Sequence, residues 1–498
     1  MNKIRTCIFL FLLMCITASV LYSEELSEKE KKRKAQNEQF DKLKLREKTD
    51  FVVDTSEQFL VAPAAPKEKL VGDYVVAKAP PTAKLMILPD MYPEYFTEGQ
   101  QYMAGWANWG HVTRSEDNRF YLSVGDHRAQ GAQINIYEYS HARNLLHRVL
   151  DVSKLLGWTD RVYTDGKIHG YMRIMPDGTL WAATHFGAIP DSSWFANGYR
   201  GSWLLSYNIN THEAKNWGIP MPPSNLPCFN VDTKRGRMVA NGDFGTVLCF
   251  DTNEKKILYA GCPPEGWIWW DRSMMLDEET GIFWSVEGSS RKLNAGHDKK
   301  QFLSYDPEFN RFLRYELSPP ENPFTRQSDC TRGFTDLPAM DGWYYWATQN
   351  GVLFKFKPLR NPGALPGVPG EDVGWEKPYK TSQSPLVESC GTTWDKGRDT
   401  LQLALDPTGR YIYYYPKGDA PIVQYDVKTG KRKALCWLQD YYFEKYGYFM
   451  GEVYGMNISN DGSFLVCAMN GEFCGKGNSF GHPALLVVEI PKEERPIP

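Results

Sequence analysis

The chain has 498 residues, room for two or three average domains or for one large repeat protein, and a formal charge of −3 that gives no field to attract nucleic acid or an anionic membrane. Hydrophobic residues at 42% and charged residues at 23% fit a soluble globular protein, while 14% aromatics with 42 Gly and 32 Pro favour an all-β chain of short strands and turns. Nucleic acid is set aside as a partner, and a charged substrate would have to be met by a local cluster.

Asn2-Lys3-Ile4-Arg5 and the apolar run from Cys7 to Leu21 form the basic and hydrophobic regions of a secretory signal, so residues 1–23 are expected to be removed. The mature protein is then secreted or periplasmic. No membrane anchor is expected to remain, because Cys15 lacks the small residue that lipid attachment needs before it. Residues 24–50 alternate charges with few apolar anchors and read as a solvated leader. Up to residue 99 the chain is a Pro-rich lead-in.

From residue 100 to 498 one pattern returns seven times: an inner strand, a polar turn, an apolar-aromatic strand, a loop, and a strand ending near Tyr-Asp. The turns begin at Asp117, Asp177, Lys234, Glu279, Asp341, Pro407 and Asp461, which predicts a seven-bladed β-propeller. The seventh repeat shows three strands, so the lead-in is expected to supply a fourth. Residues 83–88 are the first candidate and residues 73–77 the second. Of the cysteines beyond the signal, Cys467 and Cys474 are close enough to clip one loop, while the others read as buried small apolar side chains.

His111 and His127 lie sixteen residues apart, and so do His169 and His185, with the second pair 58 residues after the first. Each pair brackets a strand, a turn and a strand, which returns both imidazoles to one end of a hairpin. Any single histidine is explained by hydrogen bonding at a blade end; the repeated register argues for a cluster of four. First-strand starts and second-strand ends share one face of a propeller, here called the upper face. By that logic Asp243, Arg272, Glu287, Cys330, Arg332, Glu388, Cys390, Glu452 and Tyr454 fall near it or near the channel.

At Lys167-Ile-His-Gly170, followed by Pro176-Asp-Gly-Thr-Leu-Trp181, the chain resembles a broad set of exported bacterial propeller proteins. The layout is also similar to the seven-bladed polysaccharide lyases that cleave ulvan, in which a histidine pair on one hairpin and a Tyr and Arg on the next blade surround the scissile uronate. The resemblance implies that His111 and His127 stand for that histidine pair. His169 and His185 stand where that family places Tyr and Arg, a departure at the base and at the charge neutraliser.

β-Elimination at a uronate needs a cation to neutralise the carboxylate, a base for the α-proton and an acid for the leaving oxygen. The four histidines, with Tyr199 or Tyr171, supply candidate acid and base. Arg173, Arg200, Arg272 and Arg332 are candidates to hold the carboxylate bidentately, and Trp194 and Trp109, read as exposed, to stack on sugar rings. A second version puts a divalent metal on several of the histidines, as the propeller oligogalacturonate lyases do. The function expected is an exported lyase for an acidic polysaccharide. The alternative is a non-catalytic propeller that binds a glycan or a protein.

Overall fold

The turns at 117, 177, 341 and 461 end in residues that tolerate a left-handed backbone, such as Asn118 at φ 60° and Gly178 at φ 83°, so each strand folds back on its predecessor. The computed structural model describes residues 52–63, 74–88, 106–126, 131–158, 163–187, 192–264, 269, 272–287, 300–359, 379–380, 384–472 and 481–495. The signal and charged leader expected at 1–50 lie outside these residues. No helix among the described residues is long and apolar enough to cross a membrane.

Seven sheets, antiparallel except for an added parallel edge strand on blades 4 and 6, follow in order and form a seven-bladed β-propeller. Blade 1 runs Thr113–Arg114, Arg119–Gly125, Ile134–Ser140 and Leu145–Asp151 from the axis outward. Blade 2 has its inner strand split into Asp165–Ile168 and Arg173–Ile174, both paired with Thr179–Phe186. The split is at Gly170, where a Cβ would come within 2.4 Å of the Phe229 backbone nitrogen. Neighbouring blade 3 starts at Cys228–Asp232, blade 4 at Met275–Asp277, blade 5 at Thr331–Phe334, blade 6 at Ala404–Leu405 and blade 7 at Phe449–Ile458.

Middle strands are buried on both faces; every residue of Ile134–Ser140 is buried. Such strands sit between neighbouring blades, so they carry apolar side chains on both sides rather than alternating with polar ones. Aromatic rings fill the gaps. Phe302 of blade 4 meets Trp346 of blade 5 edge-on at 5.9 Å, and Trp181 of blade 2 meets Phe250 of blade 3 at 5.6 Å. Outer strands alternate less regularly, and Lys256–Gly261 is largely exposed.

The ring closes as the first of the two expectations had it. Thr82–Ile87 pairs antiparallel with Ala484–Glu489 over six residues, from Thr82 with Glu489 to Ile87 with Ala484. The second candidate is also a strand, but Tyr74–Val76 lies parallel to Arg432–Cys436 on blade 6. Val52–Asp54 adds a fifth strand to blade 7, where Asp54 accepts hydrogen bonds from Tyr441 and Tyr446 and pairs with Lys445 on the helix Gln439–Tyr446. Two expectations are corrected. Glu388 and Cys390 belong to Leu386–Thr392, the outer strand of blade 5, and Glu388 pairs there with Lys355 at 2.8 Å, far from the axis in strand order. Cys467 is a fully buried free thiol within Phe464–Glu472, and Cys474 lies outside the described residues.

Leu85 is fully buried in the closing strand, whereas Val53 in the neighbouring edge strand is 56% exposed. Leu85→Ala should destabilise the fold by about 2–5 kcal/mol, while Val53→Ala should stay within about 0.5 kcal/mol. Thermal unfolding of the two variants checks this, and equal midpoints would show that the closing strand is dispensable.

Candidate functional site

Trp109, His111 and Thr113 lead into and begin the inner strand of blade 1, and His169, Tyr171 and Arg173 bridge the split inner strand of blade 2. The rings of Trp109 and His169 lie 6.1 Å apart, the rings of His111 and Tyr171 stack face to face, and the Thr113 hydroxyl donates to the Met172 carbonyl. The two blades therefore repeat at an interval of 60 residues, the spacing of the turns at Asp117 and Asp177, and not at the 58 of the histidines. This slip of two residues drops His111 one layer below His169. The expected cluster of four is thus divided: His169 and His185 share the upper layer, His111 lies beneath it, and His127 falls outside the described residues.

In the upper layer the His169 and His185 rings stack at 5.4 Å, on adjacent strands where His185 pairs with Lys167. Lys167 reaches over the Trp109 ring at 4.4 Å. Arg272, from the start of blade 4, lies over the same ring at 5.5 Å and donates to the Tyr454 hydroxyl of blade 7 at 3.1 Å. Trp109 meets Tyr454 edge-on at 4.8 Å. Blades 1, 2, 4 and 7 thus converge on one patch, with His169 and His185 each 5% exposed and Trp109 and Arg272 half-buried. Arg332 is buried beside them and forms an ion pair with Asp399 at 3.2 Å.

Burial first, then the charges of Arg272, His185 and Lys167, hold the His169 imidazole well below its usual range. The ring is neutral at pH 7. Its Nδ1 faces the Pro227 carbonyl, which can only accept, so the proton sits on Nδ1 and the lone pair on Nε2. Burial also raises the Tyr454 phenol, opposed by Arg272. The patch therefore combines a neutral nitrogen base, two cationic side chains and a protonated phenol.

Below this layer His111, Tyr171 and Phe334 form an aromatic plug, with Tyr171 and Phe334 stacked at 4.6 Å. Burial, then the charge of Arg173, keeps His111 neutral as well. Beneath the plug a cavity of about 450 Å³ opens towards the lower turns, lined by Arg114, Arg173, Asp336, Gln402 and the turn at Pro407 and Thr408. Arg173 donates to Asn230 at 3.1 Å and to Asp336 at 3.0 Å.

The remaining candidates are engaged in contacts of their own. The Tyr199 hydroxyl donates to buried Asp165 at 2.6 Å, and burial together with that carboxylate raises its pKa. Arg200 donates to the carbonyls of Phe195 and Tyr199 at 3.2 and 3.0 Å. Trp194, read as an exposed sugar platform, is corrected: it is 3% exposed and packs edge-on against Tyr199 at 5.3 Å. The short helix Ser192–Ala196 turns this ring inward. Among the described residues no three His, Cys, Asp or Glu side chains converge as a metal-binding set. The two adjacent histidines also lie beside Lys167 and Arg272, whose charges oppose a dication. Lys167 was overlooked in the sequence, although Lys-Ile-His places it on the same strand face as His169.

No family model and no curated protein matches the chain. Among solved structures, it is similar to Kuenenia stuttgartiensis hydrazine synthase, with a TM-score of 0.43 and 10% identity, over 80% of this chain and 99% of that one.

Because the folded state depresses the His169 pKa, the unfolded chain takes up that proton first as pH falls through 6.5. Compared with His169→Gln, the unsubstituted protein should lose up to about 2 kcal/mol of stability between pH 7 and pH 5. Denaturant unfolding of both proteins across this range measures it. A pH-independent difference between them would mean that His169 titrates alike in the folded and unfolded chains.

Proposed function

We propose that the chain is an exported lyase that cleaves an acidic polysaccharide by β-elimination at the upper mouth of its channel. The observation that carries this reading is a neutral imidazole, His169, flanked by Arg272 and Lys167, with the Tyr454 hydroxyl in contact with the same guanidinium. A uronate carboxylate beside Arg272 and Lys167 would have its negative charge neutralised, which acidifies the neighbouring C5–H. Nε2 of His169 takes that proton, the C4–O bond breaks as a C4–C5 double bond forms, and the departing oxygen takes the proton of Tyr454. The bound carboxylate also offsets the cations that depress His169, so the base strengthens when substrate arrives.

Half-buried Trp109 presents an aromatic face next to these groups, suited to the apolar side of a sugar ring. Propellers serve many functions, so the reading rests on this patch and not on the fold. The resemblance to ulvan-cleaving propellers supports the reaction class but not the assignment of base, since His169 takes a place held there by a different residue. The metal-assisted version is not carried forward, because the described donors do not form a ligand set.

The experiment is incubation of the purified protein with a panel of uronate polysaccharides, following absorbance of the unsaturated product. Activity should fall about 100-fold or more in His169→Ala and about tenfold or more in Arg272→Ala, each assayed below its own thermal midpoint so that the loss is not one of folding. Binding of a polysaccharide without product would replace this reading with that of a binding propeller.

A further inference from the structure

The cavity below the aromatic plug is separate from the proposed lyase site, and its charges do not balance. Its charged lining residues are Arg114, Arg173, Glu278, Asp336 and Asp406. Asp336 pairs with Arg173 at 3.0 Å, and Glu278 pairs with Lys234 at 3.3 Å. Asp406 is 2% exposed, and its oxygens accept from the Thr408 amide, the Thr408 hydroxyl and the Tyr411 amide, so its own turn satisfies it. Arg114 is left over.

This side chain is half-buried, and among the described residues it forms one hydrogen bond, to the Ile458 carbonyl, and no ion pair. Its other N–H groups have no acceptor among those residues and remain accessible. Arg173 spends Nε on Asn230 and Nη2 on Asp336, which leaves its Nη1 accessible as well. A charge taken partly out of water without a counter-charge is costly: burial pulls the Arg114 pKa down, and the field of Asp336 only partly restores it.

A bound anion would supply the missing charge. The planar guanidinium takes a carboxylate through two parallel hydrogen bonds. The surplus is a single positive charge, which suits a monocarboxylate better than a phosphate group carrying about two negative charges. The cavity, at about 450 Å³, has the volume of a small-molecule site and room for more than the carboxylate itself. Leu337 and Met340 line the same space and are 49% and 56% exposed, so they offer an apolar surface to the rest of the ligand.

We propose that the lower mouth of the channel binds a small monocarboxylate with an apolar body, its carboxylate on Arg114 and Arg173 and its body against Leu337 and Met340.

The test is calorimetric titration of the full-length protein with benzoate and hexanoate, with benzyl alcohol and inorganic phosphate as controls. At least one of the two carboxylates should bind with a Kd of about 1 mM or tighter, and benzyl alcohol about tenfold more weakly or not at all. Arg114→Gln should weaken the carboxylate about tenfold or more, whereas Asp336→Asn, which releases Arg173, should tighten it about twofold to fivefold. Asp336→Asn decides the matter if the thermal midpoint shows that Arg114→Gln does not fold. Arg272→Ala, at the upper mouth, should leave the affinity unchanged, and since binding needs no lyase activity the result is independent of the proposed elimination. The proposal is overturned if neither carboxylate binds, if benzyl alcohol or phosphate binds as tightly as the better carboxylate, if folded Arg114→Gln binds like the parent, or if Asp336→Asn weakens binding. Loss of binding in Arg272→Ala would equally overturn it by moving the anion to the upper mouth.

Discussion

Closure of the ring is the constraint on which the rest of this protein depends. Seven sheets can share an axis only if the last is tied to the first, and the tie is Thr82–Ile87 lying along Ala484–Glu489. The same stretch of chain places Tyr74–Val76 on the outer edge of blade 6, so one lead-in pins two adjacent blades. Both strands cover sheet edges that would otherwise remain open to pairing. Once the ring is closed, inner strands from different blades present side chains to one channel, and residues as distant as Trp109, Arg272 and Tyr454 come into contact.

Packing then sorts those side chains into layers. Cations and neutral histidines gather at the upper mouth, aromatic rings plug the channel beneath, and charged and polar residues such as Arg114, Arg173 and Asp336 line the lower cavity. Burial is what gives each layer its chemistry: together with the neighbouring arginines it holds His169 and His111 uncharged to a lower pH than a solvated imidazole would reach. The proposed elimination is thus a consequence of one closed, low-dielectric channel.

The blades were legible because each turn carries its own chemistry. A residue such as Gly178 or Gly462 in the left-handed region, followed by an apolar-aromatic strand, marks a hairpin whatever its neighbours do. The closing strand was legible from a missing fourth strand. The register between blades was harder, since it depends on close approaches such as Gly170 against Phe229, which no local pattern announces. The identical spacing within the two histidine pairs suggested that the pairs are equivalent, yet the turns at Asp117 and Asp177 already carried the true interval. Trp194 and Glu388 were misplaced for a related reason: a short helix and a long connection decide their exposure, and neither has a periodicity to read.

The elimination depends on His169 being a neutral base whose strength is set by the cations beside it. Histidine-selective NMR titration of the imidazole, with and without a soluble uronate oligosaccharide, tests this most directly. His169 should titrate well below the ordinary histidine range in the free protein, and its pKa should rise when the carboxylated sugar binds. A His169 that titrates near 6.5, or one that titrates low and does not respond to the sugar, would contradict it.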